Sequence, residues 1–173
     1  MTRTSWQLAA VEDEVTDALL ALSRVFIGLA ARSIAQVDEE VTLPQFRTLV
    51  LLVSQGPQRV VDLAGELSVT SSTATRMCNR LVSKGLAARQ VRPDDRRAAW
   101  ITLTAPGRDL VGAVMSRRRE AIADLVAGLT LIRPLAFAAT LNALVEAAGD
   151  VPAAQWARLW DGSVAEPSLP SQK

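Results

Sequence analysis

Between Leu67 and Thr104 the chain carries, in order, a turn, a helix with one polar face, a strand, an arginine-studded loop and a second strand. Thr70 can cap the helix, with Ser71, Ser72 and Thr73 in its first turn, because a threonine oxygen accepts from the amides left orphaned there. At about 100° per residue, Ala74, Met77, Cys78 and Leu81 share one face. Ser72, Thr73, Arg76, Asn79, Arg80 and Ser83 share the other, and Gly85 supplies the stop. Ala87 to Val91 and Ala98 to Leu103 read as two strands joined by a Pro-Asp-Asp turn. The loop between them is Val91-Arg92-Pro93-Asp94-Asp95-Arg96-Arg97.

This order is the layout of a winged helix-turn-helix, which places one helix in the DNA major groove and a basic hairpin beside it. The charge distribution agrees. From Ser71 to Arg119 there are eleven basic and three acidic residues, a local charge of +8, while the rest of the chain has 8 basic against 15 acidic and stands at −7. A net charge of +1 therefore conceals a concentrated basic segment, and duplex DNA, with one phosphate charge per about 1.7 Å, responds to such a segment and not to the total.

Arg76, Asn79 and Arg80 are the candidate base readers, since arginine pairs bidentately with guanine and asparagine with adenine. The competing reading of that face is a solvated helix surface. Ser71, Ser72 and Thr73 sit at a helix start, where hydroxyls and amides suit a phosphate, and Thr75 is counted with the same DNA-facing set. Arg92, Arg96 and Arg97 lie on or beside the wing, where a narrow minor groove favours arginine. Asp95 either joins them at the DNA or only shapes the hairpin with Arg97.

Absences exclude whole classes of function. The chain has no histidine, so neither a Cys/His zinc site nor a triad with a histidine base can be built. No glycine-rich phosphate loop and no pair of carboxylates in a tuning environment appears. An enzyme is not expected, and no cofactor. The single cysteine, Cys78, rules out an internal disulfide and falls on the inner helix face, where it reads as a small hydrophobe. No apolar run approaches the roughly 20 residues that span a bilayer, and the N-terminus lacks a secretory core. A cytoplasmic location without a membrane partner is expected.

Around the central stretch the chain reads as helices. Trp6 to about Val37 repeats apolar residues at nearly 3.6 spacing, with an acidic cluster at Glu12, Asp13, Glu14 and Asp17. Thr42-Leu43-Pro44-Gln45 is a capping box with an early proline. The helix it opens carries Phe46, Leu49, Val50 and Val53 to a stop at Gly56-Pro57, and a short helix from about Val60 to Ser68 buries Leu63, Ala64 and Leu67. Thr104 caps a fifth helix with an apolar stripe through Leu110, Val114, Ile122, Leu125, Val126 and Leu129. A sixth spans roughly Leu131 to Ala148, with Pro134 tolerable in its first turn. Arg117, Arg118 and Arg119 point in different directions and read as a solvated face with ion pairs. Ala153 to Trp160 forms a short helix in this reading, with Trp156 and Trp160 on one side, docked on the neighbouring helices.

Taken together, Leu43-Pro44-Gln45-Phe46, Asp62-Leu63-Ala64, Ser72-Thr73-Ala74-Thr75-Arg76, Arg80 to Leu86, Asp95-Arg96-Arg97 and Leu103-Thr104 with Gly107 resemble the MarR family of bacterial transcription regulators. The resemblance runs from about Thr42 to Leu110. It implies a mainly α fold: a winged helix-turn-helix lobe with a two-stranded wing over residues 42–104, an N-terminal dimerisation helix over 1–41, C-terminal dimerisation helices over 105–149, and an extension over 150–173. It further implies a homodimer that binds a pseudo-palindromic double-stranded DNA operator, as a repressor released by a small molecule. Family effectors often bind in the crevice between the lobes, which directs attention to Arg24, Phe26, Phe46, Arg47 and Trp100, with Trp6 and Arg32 nearby. Arginines there would suit a small anionic or aromatic effector. The redox-sensing branch keeps a cysteine near the start of its first helix, and this chain has none there. The alternative is a winged-helix adaptor that binds protein in place of DNA.

Overall fold

A computed structural model describes residues 3–92, 95–130 and 132–150, with side chains placed over 11–90, 100–130 and 132–150. Helix α1 covers Arg3–Ala35. It ends where the backbone tightens: Val37 N–H donates to Ile34 O at 3.0 Å, and Glu40 N–H donates to Asp38 Oδ1 at 2.8 Å, an aspartate turn that redirects the chain. Helix α2, Leu43–Gln55, starts as its residues dictate. Thr42 is extended, Pro44 lies in the first turn, and Thr42 N–H donates to Gln45 Oε1 at 2.9 Å, the reciprocal half of the capping box. Gly56 closes the helix at φ 74°, a left-handed value that glycine adopts without penalty.

Strand β1, Gln58–Arg59, leads into α3, Val60–Glu66. Arg59 grips Asp62 in the first turn of α3 through Nε and Nη2 at 2.7 and 2.9 Å. This guanidinium holds the Asp62 carboxyl below the usual carboxylate range. The turn to the next helix passes through Ser68 at φ 54°. Helix α4, Ser71–Ser83, is capped by Thr70, whose Oγ1 accepts from Thr73 N–H at 3.3 Å. Strands β2, Ala87–Arg92, and β3, Asp95–Leu103, follow. Helices α5, Ala105–Ala127, and α6, Pro134–Ala147, complete the described chain.

The sheet keeps the expected two-stranded wing, β2 with β3, and adds a third strand beside it. Its order is β1-β3-β2, all antiparallel. Gln58 faces Ile101 and Arg59 faces Trp100, so the two residues after Pro57 form an outer strand too short to show a period in sequence. The hairpin strands are also longer than expected. Ala87 pairs with Leu103, Arg89 with Ile101 and Arg92 with Asp95, with a register irregularity between Gln90 and Arg92. Asp95, Arg96 and Arg97 thus belong to β3 and not to a loop, because the ladder continues to the hairpin end. Pro93 and Asp94, expected to form the turn, lie outside the described residues.

The core sits between α2, α3, α4, the sheet and the first half of α5. Leu49, Leu63, Leu81 and Ile101 are fully buried, and Val111 and Val114 nearly so. Phe46, Ile34 and Cys78 join the same cluster. Helix α5 is seated by three contacts at its start: Thr104 Oγ1 donates to Gly85 O at 2.6 Å, Thr104 N–H donates to Leu86 O at 3.3 Å, and Gly107 N–H donates to Thr104 Oγ1 at 3.1 Å. Gly107 is pressed against the strand entry, since a Cβ there would lie 2.0 Å from Leu86 O.

Outside this lobe the apolar stripes read from sequence are present but uncovered. Among its described side chains, α1 buries only Leu29, Ala30, Ser33 and Ile34, near its C-terminal end, where it packs on α5 and α2. Leu125 and Val126 on α5 are each 47% exposed, α6 buries no side chain, and Leu135 is 86% exposed. The stretch Val11–Ala35 is long and apolar enough to cross a membrane by length and composition, which corrects the expectation that no segment is. Its end is built into the protein core through Ile34, so its apolar character belongs with that of α5 and α6. The tryptophan pair expected between Ala153 and Trp160 lies outside the described residues.

Candidate nucleic-acid interface

Helix α4 divides as its sequence predicts. Ala74, Cys78 and Leu81 are buried and Met77 half-buried, while Ser71, Ser72, Arg76, Asn79, Arg80 and Ser83 are exposed. Thr73 and Thr75 are half-buried at the margins, and the Thr75 hydroxyl donates to Ser71 O at 2.8 Å. Three hydroxyls gather at the helix start, with Thr70 Oγ1 3.0 Å from both Ser72 Oγ and Thr73 Oγ1. Arg76 Nη2 donates to Thr73 Oγ1 at 3.3 Å, which draws its guanidinium toward that end. Thr73, Arg76, Met77 and Arg80 line a shallow depression on this surface. Positive charge, hydroxyls and helix amides therefore converge on one outward face, the arrangement that suits a polyanion.

The opposite end of α4 is tied down. Lys84 Nζ lies 2.8 Å from Glu40 Oε2 and 3.5 Å from Asp38 Oδ1. The hydrogen bond to Glu40 pushes the Lys84 ammonium above its ordinary range. Lys84, one of the eleven basic residues counted in the segment, is spent on the loop between α1 and α2. It anchors the C-terminal end of α4 to the base of α1. On α5, Arg117 pairs with Glu120 at 3.4 Å, as a solvated face does.

The wing residues fall on the hairpin. Arg92 ends β2 and faces Asp95 at the start of β3, with Arg96 and Arg97 following in that strand. Their side chains lie outside the described set. One residue that the reading of the helix face overlooked stands beside it. Arg89, on β2, donates through Nη2 to Asn79 Oδ1 at 2.5 Å. Strand alternation places Arg89 on the same side of the sheet as its cross-strand partner Ile101, and Ile101 belongs to the core cluster that also holds Cys78 and Leu81 of α4. That alternation was available in the sequence. Burial pushes the Cys78 thiol up, with the Arg89 charge pulling the other way, which suits an inert core residue.

The expected effector residues differ in exposure. Phe46 is 4% exposed and is a core residue, because α2 packs against α4, α5 and β3. Trp100 is half-buried and faces Arg59 and Gln90 across the strands, on the side of the sheet opposite Ile101. Phe26 is half-buried on α1, while Arg24 and Arg47 are exposed; Arg24 Nη1 donates to Leu20 O at 3.4 Å. The side chain of Trp6 is outside the described set, and Arg32 is exposed at the end of α1.

Comparisons with known proteins bear on this geometry. Residues 41–99, from just before α2 into β3, match the sequence model of the MarR family. The crystal structure of RV1404 from Mycobacterium tuberculosis is similar over 82% of this chain and 96% of that one, at 42% identity and a TM-score of 0.75. A mutant of MepR from Staphylococcus aureus, solved bound to an oligodeoxyribonucleotide, is 27% identical with a TM-score of 0.60, covering 77% of this chain and 96% of its own. The HTH-type transcriptional regulator YsmB of Bacillus subtilis is 30% identical over 90 residues, which span 52% of this chain and 62% of YsmB.

Proposed function

This chain belongs to the MarR family of winged-helix transcriptional regulators, and on that premise we propose that it is a repressor that binds a pseudo-palindromic duplex operator as a homodimer and is released by a small molecule. The observation that carries the DNA reading is the outward face of α4, where Ser71, Ser72, Arg76, Asn79 and Arg80 are exposed together beside a hairpin rich in arginine. The oligonucleotide bound to the MepR mutant supports the same use of a similar fold. A protein-binding adaptor has less to recommend it, because a basic helix face beside three wing arginines matches the electrostatic footprint of a DNA-binding lobe. The protein acts in the cytoplasm, where its DNA lies, and chemistry is not part of its work.

In this account α4 enters the major groove and reads base edges, with the wing arginines Arg92, Arg96 and Arg97 at the flanking minor groove and Asp95 shaping the hairpin. Ser71, Ser72, Thr73 and Thr75 hold phosphate. Arg76→Ala should then cost about 1–3 kcal/mol on the operator and relax discrimination at one base pair. A mobility-shift titration with DNA from upstream of the protein's own gene, set against random duplex, measures both effects. Equal losses on specific and random DNA would remove Arg76 from the reading face.

The homodimer rests on the uncovered apolar helices. The exposed large side chains Val11, Val15, Leu20, Leu125, Val126, Leu135 and Leu144 lie on α1, α5 and α6. A monomer rarely leaves so much apolar surface in water, and a two-fold interface between these helices would cover it. Light scattering at micromolar concentration should return twice the 18.5 kDa chain mass. A folded species of single chain mass would overturn the assembly. The effector, small and anionic or aromatic, would bind between the lobes near Arg24, Phe26 and Arg47, where exposed guanidinium groups can meet it.

A further inference from the structure

We infer that Arg89 sets which base Asn79 reads, and that the pair selects guanine where an unconstrained asparagine would select adenine. The inference deepens the DNA-binding reading and rests on it. Asn79 Oδ1 accepts from Arg89 Nη2 at 2.5 Å, and both residues are exposed at the outer margin of α4. A guanidinium has only donors, so the asparagine atom facing it must be the oxygen. The amide is thereby oriented, with Nδ2 on the side away from Arg89.

Orientation alone does not choose a base; the charge beside it does. An asparagine reads adenine by two bonds at once: its oxygen accepts from the adenine N6 amine while its nitrogen donates to N7. Here the oxygen side is occupied by a cation. One lone pair of Oδ1 is already taken by Arg89, and an adenine amine arriving at the other brings its positive hydrogens beside a cation, in a surface that loses water as the groove closes. Guanine offers the complement, since N7 and O6 are both acceptors. The remaining N–H groups of Arg89 are donors that suit this edge, and Nδ2 of Asn79, on the far side of the amide, is a further donor. Arg89 is therefore a specificity-determining residue contributed by the strand and not by the recognition helix. The packing explains how it gets there: its register partner Ile101 belongs to the core cluster shared with α4, so strand alternation puts Arg89 on the side of the sheet that meets this helix, within reach of Asn79.

The test selects duplexes from a randomised pool with the full chain and its variants, then compares affinities for single-base changes. Asn79→Ala locates the base pair whose preference depends on Asn79. The wild-type chain should favour guanine over adenine there by roughly tenfold or more. Arg89→Ala should move that ratio toward adenine, and Arg89→Lys, which keeps charge and a donor, should hold it near the wild-type value. The readout is a ratio of two affinities within one variant, so a general loss of stability or of a phosphate contact cancels. Adenine preferred by the wild-type chain at that position, or a ratio unmoved within about twofold by Arg89→Ala, would overturn the inference while leaving DNA binding intact. A pool from which the wild-type chain enriches no sequence would remove the DNA-binding reading itself, and this inference with it.

Discussion

A Gly107→Ala chain should unfold at markedly lower denaturant than the parent, with a loss of about 3 kcal/mol or more, at the upper end of what overpacking costs. Alanine is favoured over glycine inside a helix by about 1 kcal/mol, so propensity alone would stabilise this variant. Packing reverses the sign. The new Cβ would stand 2.0 Å from Leu86 O, 2.9 Å from Leu103 Cδ1 and 3.0 Å from Leu86 C. Two of those three atoms are backbone, and Leu86 O is held by Thr104 N–H, so no flexible side chain can yield the space. Helix α5 would have to lift, and with it Leu110, Val111 and Val114 would leave the core. Against a typical stability of about 5–15 kcal/mol, that is a large fraction. The same substitution at Gly65, where a Cβ meets nothing within 4 Å, should instead raise stability by a few tenths to about 1 kcal/mol. Urea melts of the two variants beside the parent measure both. A Gly107→Ala chain as stable as the parent would contradict the seating of α5 described above.

How much of this molecule was legible beforehand follows from where each signal resides. Caps are local, so Thr42 with Gln45, Thr70 before α4 and Thr104 before α5 were readable residue by residue, and each makes its hydrogen bond. The polar face of α4 was readable because a helix repeats its faces at fixed spacing. Strand β1 was not, since Gln58 and Arg59 carry no period and are strands only because β3 lies alongside. The reach of the hairpin was underestimated for a related reason: charged Asp95, Arg96 and Arg97 look like loop in isolation, while the ladder carries them. Phe46 was placed beside a crevice by position in the chain, yet the rotation of α2 sends it into the core. The bond from Arg89 to Asn79 joins residues ten apart across a helix end and a strand start, and no propensity encodes that meeting. The apolar stripes of α1, α5 and α6 were plain in sequence, and the single chain leaves most of them in water.

The central claim is that the basic face formed by α4 and the wing binds duplex phosphates, and its most direct test is the salt dependence of affinity. Each phosphate neutralised releases condensed counterions, which gives a slope of about −0.9 in log affinity against log salt. The local charge of +8 per chain is reduced in effect because Lys84 is committed to Glu40 and Asp38. A dimer making about six phosphate contacts should show a slope of roughly −5, and its affinity should fall about a thousandfold between 50 and 200 mM salt. Fluorescence anisotropy with a labelled duplex from upstream of the protein's own gene, titrated with the full chain at several salt concentrations and one pH, measures the slope. A value near −5 is the predicted result; a slope near zero over that range, or no binding at the lowest salt, would contradict the account.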